Sequence, residues 1–320
     1  MRFFTSLRMT KASLKMTFIL LAVLVACQKG QDFTATKENP AEENPATEEV
    51  TGNSYTLTVE AAKSMDTKAL VLDGSTLNAK WVQDEKVGVY VNGEYCGQLL
   101  ATPKDDATKA TLSGTLTSTS GIAANATLLL LFPDRDDITE GSKWDYTGQN
   151  GATPTPEADM STKYDYATAT LTVTGIDGSN VTTTGTATFQ NEQSIYRLDF
   201  KVNSSLKSVK WFSVSSSQNK LVTSRSYNSG WVSNHGDLTV TLTGDGATSP
   251  YVSLRNQNKT EADTYTFFAR DYNNNLFRGT KEIPAANLGY GKFLAPSIEL
   301  NAFSVNTQAS GNISNPQDIF

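Results

Sequence analysis

From Tyr55 onward the chain repeats one pattern, apolar side chains at every second position in short runs, and that pattern excludes most architectures. Tyr55, Leu57, Val59 and Ala61 alternate with Thr56, Thr58 and Glu60, the period of a strand with one face on a core and the other in water. The alternation recurs at Val87, Val89 and Val91, at Ala167, Ala169, Leu171 and Val173, at Tyr196, Leu198, Phe200 and Val202, and at Leu238, Val240 and Leu242. Turn residues punctuate it, at Asp73-Gly74, Asn92-Gly93, Asp177-Gly178-Ser179-Asn180 and Gly244-Asp245-Gly246, because they tolerate the backbone of tight turns. Residues 126–132 hold four consecutive leucines and stop at Pro133, as a central strand covered on both faces would. The polar stretch between Pro133 and Tyr166 reads as an insertion loop. No segment carries an amphipathic helical period over three turns. Many short strands without helices predict an all-β chain. The length suits two tandem β-sandwich domains, 54–185 and 186–300, followed by a tail over 301–320.

The front of the chain obeys other rules. Arg2, Arg8, Lys11 and Lys15 precede an apolar run from Met16 to Ala26, the order of an export signal. That run falls short of the ~20 residues a membrane-spanning helix requires. Leu24-Val25-Ala26-Cys27 resembles the lipobox of bacterial lipoproteins. The resemblance implies that residues 1–26 are removed and that Cys27 carries lipid, anchoring everything after it outside the cytoplasm. Residues 27–53 contain Glu38, Glu42, Glu43, Glu48 and Glu49, with Phe33 and Val50 as the large apolar groups. So little apolar surface cannot offset the entropy of ordering, and the segment is expected to be a disordered tether. Its end-to-end distance would be about 25–30 Å.

The formal net charge is −6, and loss of the four basic residues of the signal takes it to −10. A chain this acidic offers no electrostatic footprint for nucleic acid. With Cys27 lipidated, Cys96 is the one thiol left. It cannot close an internal disulfide, and it reads as a small buried side chain.

Reactive constellations are scarce, so neither a catalytic site nor a metal or other cofactor is expected. His235 is the sole histidine and has no second histidine to help it hold a metal. Asp105-Asp106 and Asp134-Arg135-Asp136-Asp137 lack the spacing of a calcium loop. No Gly-x-Ser-x-Gly elbow and no phosphate-binding glycine loop occur. Trp144-Asp145-Tyr146, Tyr164-Asp165-Tyr166 and the stretch ending at Trp231 suggest an alternative, a glycan contact through Trp144 and Trp231. The competing reading has these rings plug the ends of the sandwiches.

Three stretches carry a wider likeness. They are Lys80-Trp81-Val82-Gln83-Asp84-Glu85-Lys86-Val87-Gly88-Val89-Tyr90, then Phe189-Gln190-Asn191-Glu192-Gln193-Ser194, then Gly289-Tyr290-Gly291-Lys292-Phe293 ahead of a closing strand. With the lipobox, and in this order, the chain resembles the fimbrillin-like lipoproteins of Bacteroidetes, subunits of donor-strand pili. The resemblance implies two transthyretin-like β-sandwiches, an outer-membrane or fimbrial location, and partners that are other pilus subunits, with a host protein or glycan as adhesive ligand. It implies assembly by strand exchange, with the strand bearing Tyr55, Leu57 and Val59 as the one displaced and Phe303 and Val305 as the incoming one. Stalk subunits of that family are cut after a basic residue behind the first strand. No arginine lies between Arg8 and Arg135, which leaves Lys63 and Lys68, or else an uncut anchor subunit that keeps its lipid.

Overall fold

The structure is a computed structural model that describes residues 52–63, 71–73, 76–78, 80–134, 142–153, 160, 163–227 and 229–304. The export signal, Cys27, nearly all of the tether, Lys68, Asp136 and Val305 lie outside the described residues. So does the tail beyond Ser304.

The first half contributes β1 (Asn53–Lys63), β2 (Val71–Asp73), β3 (Thr76–Asn78), β4 (Lys86–Val91), β5 (Glu94–Pro103), β6 (Lys109–Ser118), β7 (Thr127–Phe132), β8 (Ser142–Asp145), β9 (Ala167–Asp177), β10 (Asn180–Thr183) and β11 (Ala187–Asn191). Seven of these close on themselves in the order β1, β6, β5, β4, β7, β9, β11 and back to β1. β10 fills the other end of the gap that β11 occupies, pairing with both β1 and β9. The sequence leads one to expect a sandwich here, and the sheet instead closes like a barrel. Alternation fixes which side chains face inward but not whether the sheet rolls up. One cause of the bending is visible: the β4–β5 register shifts between Val89 and Tyr90, opposite Gly97 at φ +130°, a bulge that curves its strand.

Inside lie Leu57, Val59 and Ala61 of β1 with Val87, Val89, Leu99, Leu112, Leu128, Leu130, Ala169 and Leu171, all buried in one core. The leucine run of β7 is buried at Leu128, Leu130 and Leu131, and β7 sits between β4 and β9. Cys96 is buried in the same core, and burial pushes its thiol up to about 11, so it stays protonated at neutral pH.

The second half contributes β12 (Ser194–Arg197), β13 (Asp199–Val202), β14 (Ser205–Leu206), β15 (Trp211–Ser216), β16 (Val222–Tyr227), β17 (Trp231–His235), β18 (Leu238–Thr241), β19 (Tyr251–Leu254), β20 (Asp263–Arg270), β21 (Leu276–Ile283), β22 (Phe293–Leu294), β23 (Ser297–Glu299) and β24 (Asn301–Phe303). A five-stranded antiparallel sheet runs β18, β15, β20, β21, β24. Across the core from it lie two short ladders, β19-β12-β22 and β14-β13-β23. Phe200 of β13 meets Phe212 of β15 and Phe267 of β20 edge to face, at 5.2 and 5.9 Å between ring centres.

The supposed insertion loop supplies a strand. β8 pairs with β16, Trp144 opposite Arg225, in a small sheet with β17. Tyr90, Leu131, Trp144, Tyr146 and Tyr166 of the first half belong to the second half's core, and residues 50–320 cluster as one unit. The last barrel strand ends at Asn191 and the next sheet begins at Ser194.

Candidate functional site: the first strand and the pocket at its end

Every ladder that β1 makes is with a strand far along the chain. It runs antiparallel to β6, from Asn53↔Ser118 to Ala62↔Lys109. On its other side it runs parallel to β10 at Leu57↔Val181 and to β11 from Ala61↔Ala187 to Lys63↔Phe189. Among the described residues it takes part in no hairpin, so it is an insert between two edges that would otherwise face each other unpaired. The alternation that marks Tyr55, Leu57 and Val59 in the sequence is what seats it. Leu57 and Val59 are buried, and Tyr55, half-buried, accepts a hydrogen bond on its hydroxyl from the backbone N–H of Ile122 at 3.1 Å.

Lys63 closes the strand, and its position argues against cleavage there in the folded protein. Its backbone N–H donates to the carbonyl of Thr108 at 3.1 Å, and the residue is only 6% exposed. The ammonium donates to the Lys80 carbonyl at 3.3 Å and lies 3.5 Å from Oε2 of Glu85 and 3.8 Å from Oδ2 of Asp165. Trp81 and Phe132 present their rings to it, centroids 4.5 and 4.0 Å away, a desolvated cation–π arrangement. Trp81 in turn packs edge to face on Phe132 and on Phe189, both at 5.3 Å. A protease needs an extended, accessible segment, and Lys63 offers neither accessibility nor a free backbone.

Asp165 is fully enclosed in that pocket. Burial pushes its carboxyl up to about 6, against the pull of Lys63, while the nearby Glu85 adds to the rise. Gln193 Nε2 donates to its Oδ1 at 3.5 Å. Asp165 was legible in the sequence only as the middle of Tyr164-Asp165-Tyr166, a sugar-platform candidate. Trp81, Glu85 and Phe189 all stand in the stretches that carry the family likeness, and the pocket gives those stretches a physical reason.

The same holds at the joint between the two cores. Glu192 receives Arg225 at 2.8 Å and also pairs with Arg255. Arg225 lies over Trp231 at 3.7 Å and Arg255 over Tyr290 at 4.1 Å. The N–H of Gly291 donates to the Gln193 carbonyl at 2.7 Å, and the second and third stretches dock on each other there.

The glycan candidates fare differently from their sequence reading. Trp144 is completely buried, stacked on Tyr166 at 5.0 Å and packed against Trp231 at 4.7 Å. It has no ring face left for a sugar. Trp231 is half-buried under Arg225. Phe303 lies on β24 opposite Leu276 and meets Phe268 at 5.7 Å. His235 is exposed at the end of β17, and among the described residues no group of three or more His, Cys, Asp or Glu is arranged to hold a metal.

No family model matches the chain, and no curated protein matches it. Several solved structures do. One is a candidate cell adhesion protein from Bacteroides uniformis ATCC 8492, at 15% identity and TM-score 0.40, covering 78% of this chain and 97% of that one. A candidate adhesin from Bacteroides ovatus is 10% identical at TM-score 0.36, covering 78% and 93%. A fimbrial protein from Bacteroides ovatus ATCC 8483 is 9% identical at TM-score 0.33, covering 77% and 49%. The described residues form an all-β fold in their own right, these Bacteroides adhesion and fimbrial proteins are what it is similar to, and in its sequence the chain resembles the fimbrillin-like lipoproteins.

Proposed function

We propose that this chain is a structural subunit of a cell-surface adhesive fibre, held to the outer membrane by lipid on Cys27, and that it acts by strand exchange rather than by catalysis. The observation that supports this reading is the status of β1 as an insert. Without it, β6 on one side and β10 with β11 on the other would expose unpaired N–H and C=O groups beside the apolar seats of Leu57, Val59 and Ala61. A strand from another subunit satisfies both the hydrogen bonds and the apolar pockets. The segment bearing Phe303 and Val305 is the proposed incoming strand, and the two cores are read as transthyretin-like in origin, with the first rolled shut by β1. Because Lys63 is buried, proteolytic release of β1 would act beyond it, with Lys68 as the candidate.

The test is controlled trimming of purified protein behind β1. Oligomer ladders on gels that collapse on boiling support the reading. Trimmed protein that stays folded and monomeric at high concentration rejects exchange through this slot.

A further inference from the structure

The pocket at the end of β1 holds an amine, a carboxyl group and a second carboxylate, walled by aromatic rings. Strand exchange uses none of them as chemistry. We propose that Lys63 and Asp165 become joined by an intramolecular amide bond, formed by the folded protein itself, with Glu85 relaying the proton.

The reacting atoms are already neighbours. Nζ of Lys63 stands 3.8 Å from Oδ2 of Asp165 and 3.5 Å from Oε2 of Glu85, and both the Lys63 and Asp165 side chains are only 4% exposed. In water this pair would be an ammonium and a carboxylate, which do not condense. Condensation needs the amine unprotonated and the acid protonated, and a proton passed from Nζ to Oδ2 across 3.8 Å supplies both at once. The upward push on the Asp165 carboxyl acts in that direction. A neutral amine is a nucleophile, and a protonated carboxyl carbon can accept it.

The step balances without any co-reactant. The lone pair of Nζ attacks Cγ of Asp165. Gln193, donating to Oδ1, supports that oxygen as it gathers charge. Glu85 takes a proton from the nitrogen and delivers it to Oδ2, which leaves as water. One C–N bond forms, one C–O bond breaks, and nothing is oxidised or reduced. Fixing amine and acid side by side supplies effective concentrations of about 10⁵ M or more, and the rings of Trp81 and Phe132 keep bulk water from reversing the reaction.

Such a bond would tie the last residue of β1 to the segment that leads into β9. It would make the insert permanent, so exchange at β1 would belong to molecules in which the bond is absent. The proposal rests on the pocket and not on the adhesive reading.

Peptide mapping of the purified full chain by mass spectrometry tests it. The expected result is a branched peptide joining Lys63 to Asp165, lighter by one water than its two arms, with no tryptic cut at Lys63. Lys63→Arg should abolish it, and Glu85→Gln should slow its appearance in freshly folded protein at least tenfold. Folded wild-type protein that yields only separate linear peptides for Lys63 and Asp165, even after days of incubation, overturns the bond and leaves the adhesive reading as it stands.

Discussion

Leu57 shows how much one side chain of β1 contributes. It is 1% exposed among Val and Leu side chains of the barrel, and its removal leaves a cavity that a closed sheet cannot collapse. Leu57→Ala is expected to cost about 2–5 kcal/mol in chemical denaturation of the intact chain. Glu94 governs a different property. Burial pushes its carboxyl up, but hydrogen bonds from Ser120, Thr119 and Ser118 outweigh that and hold it down to about 2. Its folded pKa thus lies below the unfolded value near 4.5, so its contribution is complete above pH 4.5 and is lost as pH falls toward 2. Glu94→Gln should flatten the acid limb of a melting-temperature profile over that window. Asp165, where its carboxyl is free and not joined to Lys63, carries the opposite sign. Its carboxyl is raised from 3.8 to about 6, so its contribution is complete below pH 3.8 and is lost as pH rises through 6.

At the scale of elements, the strands were readable because alternation is a local signal, and closure was not because it depends on pairs distant in sequence. Nothing in Tyr55–Ala61 announces that β10 and β11 will take its second edge. β8 was missed for a related reason: Trp144 is held by Tyr166, Trp231 and its ladder to β16, none of it visible as a period within four residues. Gly114 reveals how tightly the closure is drawn. It lies opposite Leu57 on β6, and a Cβ there would fall 2.2 Å from the carbonyl oxygen of Gln98. Gly114→Ala therefore forces the β5 and β6 backbones apart, and a loss of about 1–3 kcal/mol is expected, with faster amide exchange along β1 as the check.

Across the whole molecule, Glu192 is the residue on which the two cores meet. It serves two arginines that are themselves nearly buried, their side chains 10% and 4% exposed. Removing the carboxylate strands both charges, and breaking a buried pair in this way costs about 3–5 kcal/mol. Glu192→Ala should accordingly lower the midpoint of unfolding sharply, whereas Glu192→Gln keeps part of the hydrogen bonding and should fall between. The sequence signalled this joint only as unexplained likeness, since charge partners more than thirty residues away leave no local pattern. Lys63 is the same kind of case: as a bare basic residue behind a strand it suggested a cleavage site, and the fold turns it into a buried latch.

The central claim is that β1 is a separable insert whose slot accepts a strand. The most direct measurement mixes a chain beginning at residue 64 with a labelled peptide of residues 53–63 that carries Lys63→Arg, so that no amide bond to Asp165 can form. One peptide should bind per chain, resist SDS at room temperature, release on boiling, and fail to bind when the peptide carries Leu57→Asp. A 64–320 chain that ignores the peptide, or that binds the Leu57→Asp version equally well, would contradict the account.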